Sequence, residues 1–273
     1  MSKKFVDVER IVASKNEKLL KRLPKFVISY LKRILHQEEI NKIIEENKDL
    51  QNEAFCLEIV DRFNLKLQPV GTENIPLSGG AIFVVNHPLG GMDAMSLVSV
   101  MSEFRTDIKF IVNDILLTLE NLKGLFVGVD KHGANVKSSL KEVDALFASD
   151  NAVFVFPAGM VSRKVGNEIV DLEWKKTFIT QSKKYNKPVV PVYLDGRLSP
   201  FFYRVSKLRT WLGIKVNLEM FFLVNELFKQ KNKAIRITFG QPINANTFDT
   251  SRTDKNWAQW VKEKVYRLKS ANE

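Results

Sequence analysis

The chain has 273 residues, 45% of them apolar and 27% charged, which suits one large α/β domain or a domain with a helical extension and excludes low-complexity classes. With 42 Lys and Arg against 31 Asp and Glu, the net charge of +11 favours an anionic partner (nucleic acid, an acidic carrier protein or an anionic lipid surface) without choosing among them. The single cysteine, Cys56, excludes an internal disulfide and a Cys-built metal site and fits a reducing compartment; a small buried hydrophobe is its ordinary role.

Residues 1–62 read as an N-terminal helical segment. Its start, MSKKFVDVERIVASKNEKLLKRLPKF, lacks the apolar core of a signal peptide. Within it FVISYLKRIL (26–35) is amphipathic: Phe26, Ile28, Tyr30, Leu31, Ile34 and Leu35 form an apolar face beside Lys25, Lys32 and Arg33. Such a face packs into a core or lies on a membrane. No stretch of the chain reaches the roughly 18–20 uncharged apolar residues of a bilayer span.

From residue 63 the pattern becomes α/β. FNLKLQPVG (63–71) alternates as a strand, ENIPLSGG (73–80) is a loop, and AIFVVN (81–86) is a short apolar run suited to a strand covered on both faces. MDAMSLVSVMSEF (92–104) has helical spacing, IKFIVND (108–114) reads as a strand, and LLTLENLKGLF (116–126) as a short helix. VKSSLKEVDALFASD (136–150) is helical, NAVFVFPAG (151–159) a buried strand ending in Pro and Gly, Leu172–Tyr185 helical and KPVVPVYLDG (187–196) another buried strand. A helix within 208–230, the strand AIRITFGQPI (234–243) and the helix NWAQWVKEKVYRLK (256–269) complete the chain. Strands alternating with helices predict a mostly parallel central sheet flanked by helices over 63–273. In such sheets ligands bind beyond the carboxyl ends of the strands.

Two strand ends carry unusual residues there. After AIFVVN comes His87, whose imidazole suits proton transfer near neutral pH. Gly90 and Gly91 permit a tight turn and leave room for a ligand, and Asp93 follows where a helix begins. If Asp93 folds back it holds one ring nitrogen and leaves the other as the base. A structural histidine, a glycine turn and a first-turn carboxylate explain the same residues. No Gly-x-Ser-x-Gly motif supplies a nucleophile, so the histidine would deprotonate a substrate hydroxyl. The second end is VFVFPAGMVSRK (153–164), where Pro157 and Gly159 break the strand and Ser162, Arg163 and Lys164 offer an anion site or an ordinary solvated exit.

Taken together, VGTENIPLSGGAIFVVNHPLGGMD (70–93), GLFVGVDKHGANVKSSLKEV (124–143), VFVFPAGMVSR (153–163) and PVVPVYLDG (188–196) resemble, in order, the four blocks of the glycerolipid (lysophosphatidic-acid type) acyltransferase family. The resemblance covers about residues 65–245. It implies transfer of a fatty acyl group from an acyl thioester, on acyl carrier protein or coenzyme A, to a lysolipid hydroxyl, with His87 as general base and Asp93 orienting it. It places Asn86, Gly90, Gly91, Lys131, Pro157, Gly159, Ser162 and Arg163 at the substrate. No metal or further cofactor is expected, because a thioester is already activated and His36, His87 and His132 show no ligand spacing. Two departures stand out. His87 and Asp93 are spaced H-x5-D where the family has H-x4-D, and Ala158 replaces the Glu of the third block. Phe-Pro-Ala-Gly with the double glycine resembles a bacterial subgroup that O-acylates lyso-aminolipids, whose carboxylate Arg163 and Lys164 would meet.

The resemblance implies a cytoplasmic enzyme held peripherally on the inner face of an anionic membrane. LSPFFYRVSKLRTWLG (198–213) mixes aromatic and basic residues as interfacial segments and packing loops do. The competing readings are a non-catalytic lipid- or nucleic-acid-binding protein and a thioesterase-like hydrolase. Against nucleic acid, the basic residues are dispersed and no binding motif is present.

Overall fold

The computed structural model describes residues 5–15, 22–113, 117–129 and 136–269. Its helices are α1 (Val8–Lys15), α2 (Lys25–Ile34), α3 (Gln37–Glu46), α4 (Asn52–Arg62), α5 (Gly91–Met101), α6 (Val136–Ala148), α7 (Thr177–Tyr185), α8 (Pro200–Trp211), α9 (Leu223–Phe228) and α10 (Asp254–Arg267). The strands are β1 (Lys66–Val70), β2 (Ala81–Val85), β3 (Ile108–Asn113), β4 (Phe126–Val129), β5 (Ala152–Val155), β6 (Arg163–Val165), β7 (Glu168–Val170), β8 (Val189–Leu194) and β9 (Ala234–Phe239). The chain divides into two compact units: Met1–Leu50 with Ser199–Gln230, and Gln51–Leu198 with Lys231–Glu273. The α4 helix, grouped by composition with the N-terminal helices, lies in the unit that holds the sheet.

That unit is built on a seven-stranded sheet of order β1-β9-β8-β2-β5-β3-β4. Every neighbouring pair is parallel except β8 with β9. The continuous apolar runs of β2 and β8 are buried at every position, as strands covered on both faces must be. Pro191 interrupts β8 without breaking the sheet, because the ladder to β9 begins one residue later, at Val192. Its carbonyl accepts from Gly240 N instead, at 2.8 Å. Phenylalanines on three neighbouring strands stack across the sheet, Phe83 on Phe154 at 4.6 Å and Phe154 on Phe110 at 4.8 Å between ring centroids. On a second apolar cluster α6, α7 and α10 contribute Phe147, Phe178 and Val261 against Ile82 and Val153.

Two helical expectations are corrected. Of 116–126, residue 116 lies outside the described residues, and 117–118 and 120–122 form short 3₁₀ pieces, with no α-helix among the described residues before β4 begins. The segment 172–176 is not helical: Lys175 N donates to Pro157 O at 3.1 Å and Trp174 Nε1 to Asp171 Oδ2 at 2.8 Å, so α7 starts only at Thr177. The hairpin β6–β7 was not visible in the sequence pattern, because each arm has three residues.

In the other unit, α2 and α3 meet at His36, in the left-handed region at φ 45°. Its ring stacks on Phe228 at 4.0 Å, and its Nε2 lies 3.0 Å from Asn225 Oδ1. The entry into α1 is pinned by Asn41, which bonds the backbone of Val6, and by Gln37, whose Oε1 accepts from the N–H of Val8, the first residue of the helix. Among the described residues no helix is long and apolar enough to cross a membrane.

Candidate active site

The site begins where β2 ends. The Asn86 side chain is buried and bridges to the next strand: Leu194 N donates to its Oδ1 at 2.7 Å, and its Nδ2 donates to Leu194 O at 2.8 Å. This two-point tie fixes the direction in which the chain leaves the sheet. His87, the next residue, is held at both backbone atoms. Its N donates to Asp171 Oδ1 at 3.2 Å, and its C=O accepts from Ser162 N at 2.8 Å. The ring stacks on Phe156, 4.2 Å between centroids, which extends the aromatic ladder of β2, β5 and β3 to the site.

His87 Nδ1 lies 2.8 Å from Asp93 Oδ2. The side chain of Asp93 is wholly buried, whereas that of His87 is 18% exposed. The H-x5-D spacing closes because Gly90 takes φ 70° and ψ −130°, a conformation open to glycine and strained for other residues. The helix α5 then starts at Gly91, and Asp93 stands in its first turn with its N–H donating to Gly90 O at 3.0 Å. Leu89 N–H donates to both carboxylate oxygens, at 3.1 and 3.0 Å. The helix N-terminus adds a favourable field. Against these, burial pushes the Asp93 carboxyl above its ordinary value, only partly countered by the hydrogen bond from His87, and the nearby Asp171 charge adds to the rise. Leu89 in turn lies over Gly196, where a Cβ would meet it at 2.7 Å.

Asp171 was missed in the sequence: it stands 84 residues from His87, and no local pattern marks it. It is buried and accepts from Ser162 Oγ at 2.6 Å, from His87 N, and from Trp174 Nε1. Its own N–H donates to Tyr266 Oη at 2.7 Å, and its C=O accepts from Lys262 Nζ at 2.7 Å. Burial and the Asp171 charge hold the Tyr266 hydroxyl well above its ordinary value, so it stays protonated.

The third block wraps beneath the ring. Gly159 turns at φ 66° and Pro157 is buried. Ala158 sits in the apolar cluster with Trp174 and Phe178, so a glutamate there would bury a carboxylate among hydrocarbon. Arg163 is buried, its Nη1 donating to Val161 O at 2.5 Å. Gly91 and Gly159 are exposed. Lys175, not singled out in the sequence, brings its ammonium to Gly159: a Cβ there would meet Nζ at 3.2 Å. Lys131 and His132 lie outside the described residues. Among the described residues no three His, Cys, Asp or Glu side chains gather as a metal site. With Nδ1 on the buried carboxylate, the exposed nitrogen left to the solvent side is Nε2, able to accept a proton in the tautomer that donates from Nδ1.

At the exit of the central strand β2 of this covered, mostly parallel sheet stands a histidine paired with a buried carboxylate. The model of the family described as "Acyltransferase" matches residues 10–273, and the chain belongs to this family of glycerolipid-type acyltransferases. The chain is 44% identical over 268 residues to a lyso-glycine lipid O-acyltransferase of Bacteroides thetaiotaomicron, with 97% of each chain covered. It is 41% identical over 268 residues to a protein of the same name from Phocaeicola vulgatus, covering 97% of this chain and 95% of that one. Among solved structures it shares the fold of the 1-acyl-sn-glycerophosphate (LPA) acyltransferase PlsC from Thermotoga maritima, with a TM-score of 0.50, 17% identity and coverage of 91% and 94%.

Proposed function

We propose that this acyltransferase moves a fatty acyl group from an acyl thioester, carried by acyl carrier protein or coenzyme A, to the hydroxyl of a lyso-glycine lipid. The observation that carries the mechanism is the 2.8 Å contact between His87 Nδ1 and the buried carboxylate of Asp93. The names of the two relatives identical at 41% and 44% carry the acceptor.

His87 Nε2 takes the proton as the lipid hydroxyl oxygen attacks the thioester carbonyl. Asp93 holds the ring and stabilises the imidazolium. The tetrahedral intermediate then expels the thiolate, which recovers the proton from His87, leaving an ester and a free thiol. Gly91 and Gly159 are exposed, and the Lys175 ammonium at the Gly159 turn, with exposed Lys164 five residues on, suits a lipid carboxylate. The thioester is already activated, so no metal or redox cofactor enters this scheme. The lipid acceptor and the net charge of +11 favour work at the surface of an anionic membrane.

The test is acyl transfer from labelled acyl carrier protein and from labelled acyl coenzyme A to lysophosphatidate and to N-acylated glycine, serine and ornithine. Wild type should label the N-acylated glycine lane. His87→Ala, folded by circular dichroism, should lose about 10²–10⁴-fold, the usual contribution of a general base. Equal rates in the two proteins would overturn the dyad. Free fatty acid released at a rate that ignores added lysolipid would identify a hydrolase instead.

A further inference from the structure

The segment that follows the sheet's last parallel crossover has an unusual surface. Residues 196–218 contain five basic side chains and no acidic one. On α8 the buried side holds Phe202, Tyr203 and Ser206. The opposite side shows Phe201, Arg204, Leu208, Trp211 and Leu212 to solvent, at spacings of three and four that place them in one stripe. Trp211 is 79% exposed, and beyond the helix Val216 and Phe221, the latter 56% exposed, also face solvent. A soluble helix normally turns its apolar stripe inward; α8 has apolar residues on both sides and charge in between.

The acids of this unit's second segment are all turned in. Glu219 and Glu226, its only carboxylates, are fully buried. Glu219 pairs with Arg209 at 2.9 Å, and Ser206 Oγ donates to it at 3.4 Å. Glu226 pairs with Lys229 at 2.6 Å and accepts from the Ser199 hydroxyl at the N-cap of α8. These inward ties brace α8 at both ends and leave the solvent side with positive charge only, from Arg204, Lys207 and Lys215.

We propose that this face docks the protein on an anionic lipid bilayer, with Trp211 and Phe221 at the boundary of headgroups and acyl chains and the three cations against lipid phosphates. Choosing a bilayer over an acidic carrier protein rests on the lysolipid reading above and on the protruding indole and phenyl rings, since a carrier would be met by charge. Amphipathic surfaces with aromatic tips and basic flanks bind in this way.

The full chain is sedimented with vesicles of phosphatidylglycerol and phosphatidylethanolamine, and with phosphatidylcholine alone. Wild type should bind the anionic vesicles, with a blue shift of Trp211 emission. Trp211→Ala/Phe221→Ala should bind roughly tenfold or more weakly, and Lys207→Glu/Lys215→Glu, which shifts the charge of the face by four units, more than about 100-fold at about fivefold per unit. Both variants should keep the wild-type Tm and the wild-type rate on acceptor in detergent micelles, and lose rate on acceptor in vesicles. Vesicle binding unchanged in both variants overturns the proposal. So does Lys207→Glu/Lys215→Glu slowing transfer from acyl carrier protein in micelles while still binding vesicles, which would make this the carrier's dock. Weakened binding in variants of a protein that acylates no lysolipid would uphold the docking face and sink the acyl-transfer reading alone.

Discussion

The two ends of the sheet bury charge in opposite ways. At the amino ends of β2, β3 and β5, Arg105 is buried with its donors satisfied: Nε on Asp107 at 2.7 Å, Nη1 on Pro76 O and Gly79 O, and Nη2 on Asp150 O at 2.8 Å. This guanidinium holds the Asp107 carboxyl below its ordinary value, the mark of a stabilised pair. At the carboxyl end, the Asp93 carboxyl is pushed up by burial despite three hydrogen bonds. One end gains stability from its charge, while the other spends some to keep a carboxylate beside a half-buried imidazole. The difference separates a clamp from the centre proposed for acyl transfer within one fold.

The sharpest way to break this contrast is Asp93→Asn. An amide in place of the carboxylate turns His87 to the other tautomer and removes the base, so acyl transfer should fall by roughly 10³–10⁴-fold. Stability should hold or rise at neutral pH. A raised folded carboxyl means that the folded state keeps this proton longer than the unfolded one. Its contribution is therefore greatest at or below 3.8 and is lost as pH rises above 3.8 through the folded value; the variant should lack that decline. Asp107 runs the other way, its contribution present above 3.8 and lost as pH falls through its lowered value. Denaturant midpoints measured from pH 3 to 7 check both signs.

Arg105→Ala is the complementary test. It strands the carbonyls of Pro76, Gly79 and Asp150 and should cost about 3 kcal/mol in urea unfolding, with the rate per folded molecule unchanged at low temperature. A catalytic loss matching that of Asp93→Asn would dissolve the distinction between the two ends. A smaller effect is expected from Asp171→Asn, roughly tenfold in rate. An amide cannot accept on both sides from Ser162, His87 N and Trp174, so the backbone that presents the imidazole loosens. Ser162→Ala, which removes one of these donors, should lose less in the same assay.

Much of this was readable in advance, for local reasons. The apolar runs at 81–86 and 187–196 suited strands covered on both faces, and the glycine pair after His87 marked a turn at a strand exit. The limits of α7 were not readable, because Trp174 and Lys175 have helical neighbours but spend their donors on Asp171 and Pro157, residues that approach only in the fold. Arg105 looks like any surface arginine until three loops converge on it. The aromatic and basic composition of 198–213 was plain in the chain, yet which rings turn outward was fixed by the buried Glu219 and Glu226.

The sequence by itself determined the alternation of covered strands and helices, the surplus of positive charge, and the placing of a histidine and a carboxylate six residues apart around a glycine turn, since each is set by periodicity, composition or the order of residues. Only the tertiary structure decided that the longer spacing still closes to 2.8 Å, that Ala158 fills a core position, and that Asp171 holds the histidine from 84 residues away. Those depend on long-range packing, where a group's burial and partners come from segments that no local pattern connects.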